Sequence, residues 1–284
     1  MNMADLAKIA QTSLWTAAAR AREDERPDRL FHDPFAAHLA GETGSVLLKQ
    51  FTPADSTMAA NPYIPIRTRW YDDFLDASGL LQVVILGAGM DTRAFRLGWP
   101  DGTVLFEIDD AALLDFKSER LSSVDAPAAR CERRVVGSDL ADDWSGRLLS
   151  AGYDPTTPTA WIAEGLLFYL PESLARDVVS RARQLSSTRS RLAADVLSAE
   201  LFSSPFPVES LRRLREMGCP WQFGTDDPAG FFQECGWHPA EIATPIEAAE
   251  RYARPMPAPL TGAQPSPHSY LMTASADPSR HGNC

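Results

Sequence analysis

The stretch Val83-Val84-Ile85-Leu86-Gly87-Ala88-Gly89-Met90-Asp91-Thr92 is an apolar run entering a Gly-x-Gly turn, with Asp91 or Thr92 placed to cap a following helix. Glycine at such points lets the backbone turn tightly and approach a bulky ligand closely, which a β-carbon would prevent. The chemistry this suits is the holding of a nucleotide-type cofactor by the backbone of Gly87, Ala88 and Gly89, although an ordinary strand-to-helix turn can have the same spacing. Phe106-Glu107-Ile108-Asp109 adds weight to the cofactor reading. It ends a second apolar run at roughly the 20-residue distance where α/β folds put a ribose-binding carboxylate, which makes Asp109 the expected ribose ligand. Glu107, on the same strand face, could share that task but reads better as a solvated strand position. Gly137-Ser138-Asp139-Leu140 closes a third run. Asp139 can accept from an adenine amino group while Leu140 covers the ring, or Asp139 can simply cap a helix. A nicotinamide dinucleotide fits less well, because Thr92 stands where the Gly-x-Gly-x-x-Gly fingerprint has its third glycine.

These residues need strand ends to hold them. Short β-branched runs at 82-87, 103-109, 133-138, 159-164 and 190-196 alternate with helical stretches of crossover length, which predicts a parallel, doubly wound sheet. Runs at 237-244 and 267-274 read as two more strands, a hairpin-like pair joined by the Pro-rich link 255-267. Residues 4-23 have helical apolar spacing and end in the charged run Arg20-Ala-Arg22-Glu23-Asp24-Glu25-Arg26; 34-40 and 45-50 read as short helices and 64-77 as a longer one. We expect a single domain over 1-284: a helical prologue at 1-80, a cofactor-binding core at 81-196, a cap at 197-236, terminal strands at 237-275 and a tail at 276-284.

With 27 Lys+Arg against 38 Asp+Glu the formal charge is −11, so no diffuse positive field gathers phosphates and no nucleic acid partner is expected. Cys131, Cys219, Cys235 and Cys284 show no metal-ligand spacing and the N-terminus no export signal, which points to a metal-free protein of the cytoplasm. No apolar run nears the roughly 18 residues of a membrane helix, so no membrane association is expected. Lysine is scarce among the basic residues, a bias associated with GC-rich bacterial genomes.

The fourth strand and its exit read Pro158-Thr-Ala-Trp-Ile-Ala-Glu164-Gly165-Leu-Leu-Phe-Tyr169-Leu-Pro171. Together with Leu86-Gly87-Ala88-Gly89-Met90-Asp91-Thr92-Arg93, Phe106-Glu107-Ile108-Asp109 and Ser138-Asp139-Leu140, this segment resembles the leucine carboxyl methyltransferase family. The likeness is stronger to its bacterial branch, which holds actinobacterial S-adenosylmethionine-dependent methyltransferases and polyketide carboxyl O-methyltransferases. It runs from about Arg20-Ala-Arg22-Glu23 and His32-Asp33-Pro34 to Ser269-Tyr270-Leu271-Met272-Thr273-Ala274. The resemblance implies an α/β, class I methyltransferase (Rossmann-like) fold. Its seven-stranded, mostly parallel sheet would carry N-terminal helices, with a helical cap inserted before the last two strands. S-adenosyl-L-methionine would lie across the C-terminal strand ends. By the same resemblance Arg67 would meet the methionine carboxylate, the loop Gly87-Ala88-Gly89 would hold the cofactor backbone, Asp109 the ribose, and Asp139 and Leu140 the adenine. Glu164 would lie below the methionine moiety. Arg69 competes with Arg67, since the motif can be registered on either. Two departures matter: Ile85 and Leu86 fill the stretch where many methyltransferases carry an acidic residue, and Arg20 or Arg22 lies nearest to where the protein-modifying branch has a lysine. The second argues against methylation of a protein C-terminus.

Methyl transfer from a sulfonium is an in-line displacement, so the enzyme chiefly aligns the partners, an effect worth about 7–11 kcal/mol in favourable cases. A carboxylate acceptor is already ionised and needs no general base, whereas a phenol or alcohol would favour one, with His238 and His268 as the late histidines in reach. Tyr169 should sit at the pocket mouth and donate to an acceptor oxygen, and Arg20 and Arg22 could clamp a substrate carboxylate. Phe202, Phe206, Trp221, Phe223, Phe231 and Phe232 suit an apolar or aromatic acceptor, or else glue the cap down. The function expected is O-methylation of a small molecule, at a carboxylate or phenolic oxygen of a secondary metabolite. An NAD(P)-dependent oxidoreductase and a non-catalytic S-adenosylmethionine-binding module are the alternatives, and nothing in the sequence sets the oligomeric state.

Overall fold

The computed structural model describes residues 3–50, 62–124, 128–204, 208–256 and 269–279. Three helices lead in: α1 (Met3–Asp24), α2 (Ala36–Gln50) and α3 (Tyr63–Ser78). The alternation that follows is β1 (Gln82–Leu86), α4 (Arg93–Arg96), β2 (Val104–Asp109), α5 (Ala111–Ser122), β3 (Glu132–Gly137), α6 (Trp144–Ser150), β4 (Thr159–Ala163), α7 (Glu172–Gln184) and β5 (Arg191–Leu197). Then come α8 (Val208–Glu216), α9 (Pro228–Glu234), β6 (His238–Ala243), α10 (Pro245–Arg251) and β7 (Ser269–Ser275). The sheet order is β3-β2-β1-β4-β5-β7-β6, with β1 to β5 parallel and β7 antiparallel to both β5 and β6. This is the expected seven-stranded, mostly parallel sheet with its terminal pair.

Every residue of β1 and β4 is buried, because helices cover both faces of the central strands; that is why these strands read as continuous apolar runs. Val83 and Ile85 point into a core shared with Ala17, Leu39, Trp70 and Phe74 of the leading helices. Val84 and Leu86 point the other way, into a core with Trp144, Trp161 and Val178. Phe223, Phe231, Phe232 and Trp237 are buried in this second core. Those three phenylalanines therefore hold the cap to the sheet instead of facing an acceptor. Phe206 lies outside the described residues.

The two short helices read at 34-40 and 45-50 are the two arms of α2, which meet at Gly41, whose φ of +57° and ψ of −165° are not helical. Two expectations change. Helix α10 lies before the Pro-rich link, most of which is outside the described residues; its start is a capping box, with the Thr244 side chain accepting from the Glu247 amide and the Glu247 side chain returning to Thr244. Glu107 is fully buried rather than solvated: its Oε2 accepts from Lys117 Nζ at 2.8 Å and Arg133 Nη2 at 2.7 Å. Alternation along β2 assigns Glu107 a face but cannot reveal that α5 covers it, and a buried carboxylate there needs cations. Among the described residues, no helix is long and apolar enough to cross a membrane.

Candidate functional site

The cofactor residues singled out in the sequence lie at the C-terminal ends of β1, β2, β3 and β4, with Arg67 reaching in from α3. Gly87 and Gly89 both have positive φ, +65° and +43°. A β-carbon on Gly87 would stand 2.9 Å from Leu166 Cδ1, and one on Gly89 would stand 3.0 Å from Ser13 Cβ of α1. The loop is thus shaped for glycine and overlaid by the N-terminal helix. It is also bonded to the next strand: Ala88 N donates to the Ile108 carbonyl at 3.0 Å, and Gly89 N to Asp109 Oδ2 at 2.7 Å. The other oxygen of Asp109 accepts from the Asp110 amide at 2.7 Å. Burial pushes the pKa of Asp109 above the usual carboxylate value, with the Gly89 and Asp110 amides opposing the shift. Each oxygen retains a lone pair for a ligand hydroxyl.

At the end of β3, Asp139 is exposed and turns its Oδ1 to the Ala141 amide at 2.8 Å. It caps no helix, since Asp143 does that for α6. Leu140 is buried against the second core.

Of the two candidate arginines on α3, only Arg67 turns inward. Its Nε donates to Glu164 Oε1 at 3.1 Å and its Nη1 to Asp195 Oδ2 at 3.2 Å, whereas Nη2 has no protein partner among the described residues. Arg69 is part-exposed, paired with Asp73 and bonded to the Leu30 carbonyl. The second oxygen of Glu164 meets Arg93 Nη1 at 2.7 Å. Arg93 also pairs with Asp91 and, through Nε at 2.8 Å, with Asp72, which in turn takes Arg96 through both oxygens at 2.7 Å. Burial opposes ionisation of Asp91, but the charges of Arg93 and Lys117 outweigh it and hold its pKa at about 2. Burial likewise works against the Arg67 charge, but Asp195 and Glu164 more than compensate and raise its pKa.

Arg20 is engaged within the fold, donating through Nε to Asp33 at 2.9 Å and through Nη2 to the Met90 carbonyl at 2.5 Å. Arg22 is half-buried and makes no hydrogen bond or ion pair among the described residues; desolvation lowers its pKa. Tyr169 lies in the short helical turn after β4, its ring 4.9 Å from that of Phe168 in a cluster with Phe202 and Trp221. Burial raises its pKa, with Trp221, Arg67 and Thr12 of α1 nearby. His238 pairs in register with Ser275, which pairs with Arg191 at the start of β5, and so stands at the opposite end of the sheet from the glycine loop. His268 is outside the described residues.

Asp195, Arg93, Asp72, Tyr63 and Tyr71 escaped sequence reasoning. The signal for Asp195 was there: a lone carboxylate in the apolar run Leu192-Ala-Ala-Asp195-Val-Leu197, near the end of a strand where α/β ligands bind. Arg93 and Asp72 read as the ordinary polar faces of helices, and their meeting depends on how α3 and α4 cross.

The family model of the leucine carboxyl methyltransferases matches residues 13–183. A Streptomyces avermitilis protein named "Putative S-adenosyl-L-methionine-dependent methyltransferase" is 41% identical over 259 residues, 87% of this chain and 89% of that one. A Streptomyces coelicolor protein with the same name is 40% identical over 256 residues, 86% and 88% of the two chains. The crystal structure of a DUF574 family protein from Streptomyces avermitilis superposes with a TM-score of 0.59 at 18% identity, covering 92% of this chain and 97% of that one, which attests the fold. The glycine loop, the acidic strand ends and these matches together show that the chain belongs to the leucine carboxyl methyltransferase family, a family of S-adenosyl-L-methionine-dependent methyltransferases.

Proposed function

We propose that this methyltransferase acts on an oxygen of a small apolar or aromatic metabolite, and that the oxygen is a carboxylate. When bound, S-adenosyl-L-methionine would supply the methyl group from its sulfonium, with a neutral thioether as the leaving group. The residues present fit that cofactor. The glycine loop takes positive φ at Gly87 and Gly89, where a β-carbon would press on Leu166 and Ser13, Asp109 ends the strand beside it, Asp139 offers an exposed oxygen at the adenine end, and Arg67 keeps Nη2, unbonded among the described residues, for the methionine carboxylate. In this reading Glu164 sits at the methionine moiety and Leu140 backs the adenine pocket.

The observation that carries the carboxylate assignment is the state of the proton-carrying groups. Glu164, Asp91 and Asp195 are each committed through both oxygens to arginines, amides or tyrosine hydroxyls, and Tyr169 is held protonated by burial. A site whose carboxylates are bonded and whose tyrosine keeps its proton is suited to orient an acceptor that ionises on its own. Tyr169 then donates to the acceptor oxygen, and Arg22 is the cation available to a second acidic group of the substrate. The cluster of Phe168, Phe202 and Trp221 beside Tyr169 gives the acceptor an apolar wall.

Calorimetric titration with S-adenosyl-L-methionine and with NADPH tests the cofactor. Binding of the former alone, weakened at least about tenfold in Asp109→Ala, is expected from loss of a charged hydrogen-bonding partner. A panel of aromatic and polyketide acids beside matched phenols tests the acceptor. Methyl esters from the acids are expected; methyl ethers alone would refute the carboxylate assignment, and cofactor binding without any product would favour a non-catalytic binding module.

A further inference from the structure

Asp195 is fully buried on β5, yet it gathers four donors. Oδ1 accepts from the Gly165 amide at 2.6 Å and the Tyr71 hydroxyl at 2.9 Å; Oδ2 accepts from the Tyr63 hydroxyl and from Arg67 Nη1, each at 3.2 Å. Such an arrangement is a poor way to gain stability, since buried ion pairs can often be replaced by apolar groups at no loss. Its geometry is better explained by what it holds. Glu164 takes Arg67 by Nε and Asp195 takes it by Nη1, so the guanidinium is gripped along two edges and, among the described residues, Nη2 is left over. Gly165, with φ +64°, lies flat beneath it: a β-carbon there would come within 2.9 Å of both Nη1 and Nη2. The carboxylate that orients Arg67 therefore also fixes the glycine against which Arg67 lies.

We propose that Asp195 is a positioning residue for the amino-acid end of the cofactor, acting through Arg67 and Gly165 and touching no reacting atom. The role rests on the reading that Arg67 meets the methionine carboxylate. It predicts a loss confined to ligands that carry the amino-acid end. S-adenosyl-L-homocysteine has that end, whereas 5′-methylthioadenosine keeps the nucleoside and thioether but lacks the carboxylate and ammonium. Asp195→Asn retains the volume and one acceptor oxygen while removing the charge that pairs with Arg67.

Calorimetry with both ligands on the full chain tests this. Asp195→Asn should weaken S-adenosyl-L-homocysteine by roughly tenfold or more, the scale of a lost charge-assisted hydrogen bond, with 5′-methylthioadenosine unchanged within about twofold. Tyr63→Phe, which removes one neutral donor from Oδ2, should show the same selectivity to a smaller degree and decides the matter if the asparagine variant does not fold. Equal loss of both ligands, or loss of neither, overturns the positioning role while leaving the cofactor reading intact. If the unmutated protein binds neither ligand, the cofactor reading falls and Asp195's role with it.

Discussion

The guanidinium of Arg20 donates to the main-chain oxygen of Met90 at 2.5 Å, so α1 is bonded directly to the glycine loop. The same arginine pairs with Asp33, whose Oδ2 also accepts from the Thr92 hydroxyl at 2.8 Å, and Ser13 of the same helix packs over Gly89. The leading helix is thus part of the site's construction. Among the described residues, Arg20→Ala would leave the buried Asp33 carboxylate with Thr92 at hydrogen-bond distance and Arg96 Nε 3.9 Å away. We expect a loss of about 3–5 kcal/mol in urea unfolding, as when one partner of a buried pair is removed. Arg22→Ala should instead leave stability within about 0.5 kcal/mol, because Arg22 has no hydrogen bond or ion pair to lose among the described residues, and raise KM for the acceptor. A stability loss of similar size in both variants would contradict the division of labour between the two arginines.

Gly165→Ala should act on the cofactor through sterics. Its φ of +64° disfavours any side chain, and the new methyl would meet Arg67 at 2.9 Å. The conformational penalty alone is about 1–2 kcal/mol. Displacement of the guanidinium should appear as weaker S-adenosyl-L-homocysteine binding in the folded protein. Gly79→Ala is the control: its φ is similarly positive, at +60°, but no atom lies near the added carbon. It should lose comparable stability and no affinity. Equal affinity in the two variants would mean that the contact with Arg67 is immaterial.

What was legible in the sequence is what period and local motif encode. The parallel strands announced themselves because burial on both faces makes β1 and β4 apolar after their first residues, Gln82 and Thr159, and the glycine loop because glycine takes its positive φ at least cost. Asp109 was reachable by spacing from that loop. The capping box of α10 was visible in Thr244-Pro-Ile-Glu247 but was passed over beside a Pro-rich stretch. Glu107 and Asp195 illustrate the limit. Each is a carboxylate in a strand, and only the packing of α5 over one and α3 over the other shows that both are buried among cations and hydroxyls. The arginine chain from Arg67 through Glu164 and Arg93 to Asp72 joins residues far apart in sequence, at distances set by tertiary packing alone.

Asp91 ties this chain to the glycine loop, and its shifted pKa gives a pH dependence with a definite sign. The ordinary value of 3.8 falls to about 2 in the folded protein, where burial is outweighed by Arg93 and Lys117. A carboxylate with a depressed native pKa stabilises the fold fully above its unfolded pKa and loses that contribution as pH falls through the native one. The shift corresponds to about 2 kcal/mol. Asp91→Asn keeps an acceptor for the Arg93 amide, which bonds Oδ1 at 2.7 Å, and removes only the charge. The variant should therefore unfold in urea with about 2 kcal/mol less stability at pH 7, and the gap should narrow below roughly pH 4 and close near pH 2. A gap that stayed constant over that window would show that Asp91 acts through shape and hydrogen bonding instead of charge, and that Asp72 and Glu164 suffice to balance Arg93.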